Sequence, residues 1–128
     1  MSFKLKNPVL IDSVRAELVG PTELRLEGSL TGAAAQSELS RSLRELHDRI
    51  VAENRPSLTL DVRALAFVNS SALRVFVDLT SRAKCANYTL IFDIDNSITW
   101  HRLTFSVLQS LGPKCVQIRG NDPAAAQL

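Results

Sequence analysis

The chain has 128 residues, 45% of them hydrophobic and 22% charged, the profile of one globular domain that buries its own core and has no room for a second. Fifteen Lys and Arg against thirteen Asp and Glu give a net charge of +2, with the two signs interspersed, which argues against nucleic-acid binding because that requires clustered phosphate neutralisers. No run approaches the roughly 20 apolar residues of a membrane span, and residues 1–10 carry two lysines without a signal-like apolar core, so a cytoplasmic protein with reduced thiols is expected.

Residues 9–19 read as a strand, and Gly20-Pro21 turns the chain into a second strand in which Leu24, Leu26 and Leu30 alternate with Glu23, Arg25 and Glu27. From Ala33 the period changes. Leu39, Leu43, Leu46 and Ile50 recur at helical steps with Arg41, Arg44, Glu45, Asp48 and Arg49 between them, so an amphipathic helix starts at Thr31 or Gly32 and is ended by Asn54 and Pro56. Leu58, Leu60 and Val62 then alternate with Ser57, Thr59 and Asp61 in a short strand, and an apolar loop over 64–68 is predicted.

Asn69, Ser70 and Ser71 carry side-chain oxygens suited to the free N–H groups of a helix start. The helix that follows, 72–84, is apolar over more than half its circumference and is expected to be largely buried. The nearly continuous apolar run 88–94 predicts a central strand covered on both faces. Asn96-Ser97 is expected to cap a third helix, with Trp100, Leu103, Thr104, Val107, Leu108 and Leu111 as its core stripe and Gly112-Pro113 as its stop. Residues 115–119 form a last strand, and 121–128 have too little to bury and are expected to fray. The expected fold is a single α/β domain with a mixed β-sheet in β-β-α-β-α-β-α-β order, its crossovers right-handed.

The strand-loop-helix segment from Leu58 to Leu73 resembles the signature of the STAS family, the sulphate-transporter and anti-sigma-factor-antagonist domains. There a strand ending in Asp is followed by an apolar loop and then Asp-Ser-Ser/Thr-Gly-Leu. Asp61, Phe67, Val68, Ser70, Ser71 and Leu73 match, while Asn69 stands for Asp and Ala72 for Gly. Gly28-Ser29-Leu30-Thr31 is similar to the family's Gly-Glu-Leu-Asp, with both acids replaced. The order of elements agrees from about Val9 to Arg119, so the resemblance implies a single STAS-like domain over 1–128, with an ordered core at about 9–119 followed by a short C-terminal tail.

The resemblance implies a regulatory domain that works by protein contacts and is not an enzyme. In the antagonist branch the serine after the Asp is phosphorylated, which is Ser70 here, with Ser71 as the fallback acceptor. The implied switch and partner surface is Thr31, Asp61, Asn69, Ser70, Ser71, Ala72 and Arg74. The implied partner is an anti-sigma factor with serine-kinase activity or another complex subunit, with a phosphatase to reset the switch. The alternative is a constitutive docking subunit of a lipid-transport or signalling complex, without phosphorylation. The Ala72 methyl would stand against close approach of a partner backbone, and loss of acids at 31 and 69 would cost a kinase its handle.

No cofactor or metal is expected. Asp61 lacks the acidic neighbours of a Mg²⁺ site and reads instead as ordering the loop before Ser70 through backbone hydrogen bonds. His47 and His101 have no partner at triad or ligand spacing and read as solvated or packing residues. Trp100 reads as core. Cys85 and Cys115 lie in no metal or redox spacing and read as small core hydrophobes. Gly20, Gly28, Gly32, Gly112 and Gly120 form no phosphate loop. Because some STAS domains bind nucleotides or lipids, the resemblance leaves such binding open.

Overall fold

The computed structural model describes residues 9–11 and 14–120; the expectations for residues 1–8 and for the tail 121–128 lie outside them. Along the chain run β1 (Val9–Ile11), β2 (Val14–Gly20), β3 (Glu23–Leu30), α1 (Ala33–Ala52), β4 (Ser57–Val68), α2 (Ser70–Ala86), β5 (Thr89–Ile94), α3 (Thr99–Leu111) and β6 (Val116–Gly120). The expected α/β order is present, with one refinement: the strand read over 9–19 is two antiparallel strands, with Ile11 pairing with Val14. The sheet has six strands in the order β1-β2-β3-β4-β5-β6, antiparallel through β3 and parallel from β3 to β6.

Sequential strand order has a direct consequence for the layers. Each right-handed crossover from β3 to β6 steps one place in the same direction, so α1, α2 and α3 all lie on one face of the sheet. Alpha1 packs on α2 and α2 on α3. The alternate residues Leu24, Leu26, Leu58, Leu60, Val62, Leu90 and Phe92 point into this layer and are fully buried. They meet Leu43, Leu46 and Ile50 of α1, Phe76 and Leu79 of α2, and Phe105 and Leu108 of α3. Phe76, Phe92 and Phe105 form a cluster with ring centroids 5.0–6.0 Å apart. As the middle helix, α2 is buried along Ala72, Val75, Phe76, Leu79, Thr80 and Ala83.

The one-sided layer overturns the expectation that β5 is covered on both faces. Its burial alternates, with Leu90, Phe92 and Ile94 inside and Thr89, Ile91 and Asp93 half-buried on the side without helices. That side carries a charged row fixed by register: Arg25 pairs with Asp61, Asp61 with Asp93, and Asp93 with Arg119. Arg119 binds Asp93 at 2.6 and 2.7 Å, and Arg63 holds Asp61 at 2.8 and 2.9 Å. Arg15 pairs with Glu27 across β2 and β3. The face is thus a mosaic of internally matched ion pairs.

Residues 64–68, predicted as a loop, are the continuation of β4. After Asp61 the strand leaves β5 but stays paired with β3, through register shifts that flank Gly28. Gly28 has φ 99°, a conformation open to glycine and costly for other residues. The carbonyls that lose their β5 partners find side chains of α3 instead. His101 Nε2 donates to Leu65 O at 2.8 Å and Trp100 Nε1 to Ala66 O at 3.1 Å. Periodicity cannot reveal these long-range donors, so the bulged strand looked like a loop.

Alpha3 differs most from expectation. Its buried face is His101, Phe105 and Leu108, while Leu103, Val107 and Leu111 of the predicted stripe are exposed and Trp100 is half-buried. Its N-cap is Ile98, without a side-chain bond; Ser97 and the preceding turn are instead held by Asp95 Oδ1, which accepts from Ser97 N and Oγ. Cys115 is buried as expected, but Cys85 is exposed on α2.

Candidate functional site

The residues singled out from sequence converge at the end of the sheet where β3 and β4 deliver the chain into α1 and α2. Leu30 O accepts Asn69 N, which ties the two strand ends together at 3.3 Å. Asn69 is the N-cap of α2 and uses both ends of its amide: Oδ1 accepts Ala72 N–H at 2.8 Å, and Nδ2 donates to Thr31 O at 3.0 Å. An aspartate in this place keeps the first bond and turns a carboxylate towards the Thr31 carbonyl in place of the second. The asparagine is therefore suited to this particular join. Gln36 Nε2 on α1 adds a bond to Ser71 O at 2.9 Å.

Ser70 and Ser71 open α2 and are both exposed, as are Thr31 beside them and Arg74 one turn on. The first four N–H groups of a helix lack intrahelical acceptors. Here Asn69 Oδ1 takes that of Ala72 and Asn69 O that of Leu73, while those of Ser70 and Ser71 have no described acceptor. The first turn of α2 holds no acidic residue. The positive end of the helix is thus uncompensated and faces solvent.

Arg74 lines a groove of about 510 Å³ between α1 and α2, together with Gln36, Ser37, Ser40, Arg41, Arg44, Val75 and Asp78. The other arginines of the groove have carboxylates: Arg41 binds Glu38 and Glu45, and Arg44 lies 3.9 Å from Asp78. Arg74 has no carboxylate partner among the described residues. It stands four residues after Ser70 and three after Ser71, the spacings that bring side chains together on a helix surface.

Two members of the expected surface lie elsewhere. Ala72 is 0% exposed, sealed in the core, so its methyl meets no partner; it fills space beneath the cap. Asp61 sits mid-strand on the helix-free face, since β4 runs on past it for about 20 Å before α2 begins. It accepts Arg63 N at 3.2 Å, but its main partners are the Arg63 and Arg25 guanidinia, so it braces the sheet and does not order the approach to Ser70. Hydrogen bonds from Arg63 hold its carboxyl below the ordinary range despite burial.

Neither histidine joins the site. His101 is fully buried, and its bonds define its tautomer: Nε2 carries the proton given to Leu65 O, while Nδ1 accepts Asp95 N at 3.2 Å. His47 Nδ1 lies 2.8 Å from the Tyr88 hydroxyl, and burial holds its imidazole below the usual value. No group of three or more His, Cys, Asp or Glu among the described residues is arranged to hold a metal, and no helix of the described chain is long and apolar enough to cross a membrane. No family model matches this chain, and no curated protein matches it.

Proposed function

We propose that this chain is a cytosolic regulatory interaction domain resembling anti-sigma-factor antagonists of the STAS family, switched by phosphorylation of Ser70 at the start of α2. The observation that carries the reading is the pair of exposed hydroxyls at a helix N-terminus whose first turn holds no acid, with N–H groups of Ser70 and Ser71 that have no acceptor, and an Arg74 that has no carboxylate partner, among the described residues. A phosphate there is met by backbone donors and the helix dipole. It also adds about −1.5 to −2 charges to a surface that a partner must desolvate, which releases that partner. The unmodified surface of Thr31, Asn69, Ser70, Ser71 and Arg74 binds a protein such as an anti-sigma factor with kinase activity, and a phosphatase resets it.

The bonds from Asn69 to Thr31 and from Gln36 to Ser71 favour a second reading, a constitutive docking subunit, because they build this surface with no modification at all. One experiment separates the two. The protein is incubated with the serine kinase encoded nearest to it and ATP, phosphate is located by mass spectrometry, and partner capture is compared for wild type, Ser70→Ala and Ser70→Asp. The switch predicts phosphate at Ser70, capture by Ser70→Ala and loss of capture by Ser70→Asp. No phosphate at Ser70 or Ser71 removes it, and capture indifferent to both substitutions favours constitutive docking.

A further inference from the structure

Four of the five arginines on α1 and α2 are matched to carboxylates: Arg41 to Glu38 and Glu45, Arg44 to Asp78, Arg49 to Glu53, and Arg82 to Asp78. The fifth, Arg74, has no such partner among the described residues. Asp78 stands four residues after it and is the one acid lining the groove between the two helices. That carboxylate is already taken. Arg82 holds its Oδ2 at 2.9 Å, and Arg44 of α1 lies 3.9 Å from the same oxygen. The groove therefore keeps a positive charge in excess, and it sits on Arg74.

Two anions can compete for that charge. One is a phosphate on Ser70. Ser70 precedes Arg74 by four residues, and acid before base at this spacing is the favourable order on a helix, because the acid then lies nearer the positive end of the dipole. A guanidinium also meets a phosphate through two parallel N–H···O bonds, a geometry that an ammonium does not reproduce. The other anion is a carboxylate brought into the groove by a partner. The groove has a volume of about 510 Å³, room for several side chains, and beside Arg74 its walls carry Ser37, Ser40 and Arg44 together with the aliphatic Val75. Hydroxyls, guanidinium groups and one apolar wall suit glutamate side chains, which present a carboxylate on an apolar stem.

We propose, on the reading of Ser70 as a phosphorylation switch, that the partner lays an acidic segment in the α1–α2 groove with a carboxylate on Arg74, and that phosphate on Ser70 takes Arg74 away from it. Phosphorylation then acts twice. It repels the partner's carboxylate, and it occupies the cation that held that carboxylate. Release by repulsion alone asks nothing of Arg74, whereas release by exchange makes Arg74 the residue on which both states depend.

Phosphoserine is installed at position 70 of the full chain during translation, so that no kinase is needed, and its second pKa is read by phosphorus NMR. Arg74 is expected to hold that pKa about half a pH unit below its value in the Arg74→Gln variant, the scale of one exposed ion pair. Arg74 is exposed, so the variant is expected to keep the circular dichroism spectrum. The acidic probe is an alanine-based helical peptide with glutamate at every fourth position, and its control carries glutamine there. At millimolar concentration the glutamate peptide is expected to shift the Arg74 Nε–Hε signal of the unmodified chain, and to shift it at least about fivefold less once Ser70 is phosphorylated. The glutamine peptide is expected to leave it in place. A phosphate pKa indifferent to Arg74→Gln, no shift with the glutamate peptide, the same shift with both peptides, or the same shift before and after phosphorylation overturns the proposal and leaves release by repulsion standing. A kinase reaction that never marks Ser70 instead removes the switch, whatever these signals show.

Discussion

Alpha1 and α3 are the two outer helices of the same layer, yet they meet solvent in opposite ways. The solvent-facing surface of α1, including its side of the groove shared with α2, is crowded with charges that neutralise one another, Arg41 with Glu38 and Glu45, and Arg49 with Glu53. That of α3 carries three large apolar side chains and one arginine. A helix with a charged outer face announces its inner face in the sequence, because only one stripe of apolar residues is left. A helix with large apolar residues on two flanks offers two stripes, and periodicity cannot choose between them.

The sharpest way to break the contrast is to truncate one residue from each α3 stripe. Phe105 is fully buried against Phe76 and Phe92. Phe105→Ala is expected to cost about 3–5 kcal/mol, and Leu103→Ser to change monomer stability by no more than about 0.5 kcal/mol, both read by urea denaturation. Equal losses at the two positions would mean that the stripes are misassigned. Next in size is His101→Ala, which orphans Leu65 O and Asp95 N inside the fold. A loss of about 2–4 kcal/mol is expected, with the amides of 63–68 losing hydrogen-exchange protection first.

On the α1 side the effects are smaller because the contacts are exposed. Asn69→Ala removes the cap of α2 and its bond to Thr31, and is expected to cost about 1–2 kcal/mol by denaturant melts. Asn69→Asp keeps the cap and loses the bridge, so it should fall between the alanine variant and the wild type. The smallest effect is that of His47. Burial holds its imidazole below 6.5 in the folded chain, so on acidification the unfolded chain takes up the proton first. Its contribution is full above pH 6.5 and declines as the pH falls below that value. His47→Gln should flatten that part of the stability profile.

The α1 stripe, the burial of α2, the cap at Asn69 and the exposed Ser70 and Ser71 were all legible, since each depends on residues close in sequence. What was hidden depends on pairing between distant segments. Asp61 looked like a strand end because the apolar residues after it break the alternation, and the bulges that keep 64–68 in the sheet are set by β3. Nothing local to Arg25, Asp61, Asp93 and Arg119 shows that register lines them up in one row. The one-sided helix layer follows from strand order, which no single segment encodes. The sequence reads His101 only as a solvated or packing residue, because the partners that fix its buried role lie 36 residues upstream and in the turn before its own helix.

The most direct measurement is the affinity for the captured partner of this chain before and after quantitative phosphorylation, with the modified residue assigned by mass spectrometry. The account predicts phosphate on Ser70 and a fall in affinity of at least about 100-fold, on the scale of one buried uncompensated charge. Affinity unchanged by phosphate on Ser70, or phosphate found on neither Ser70 nor Ser71, would contradict it.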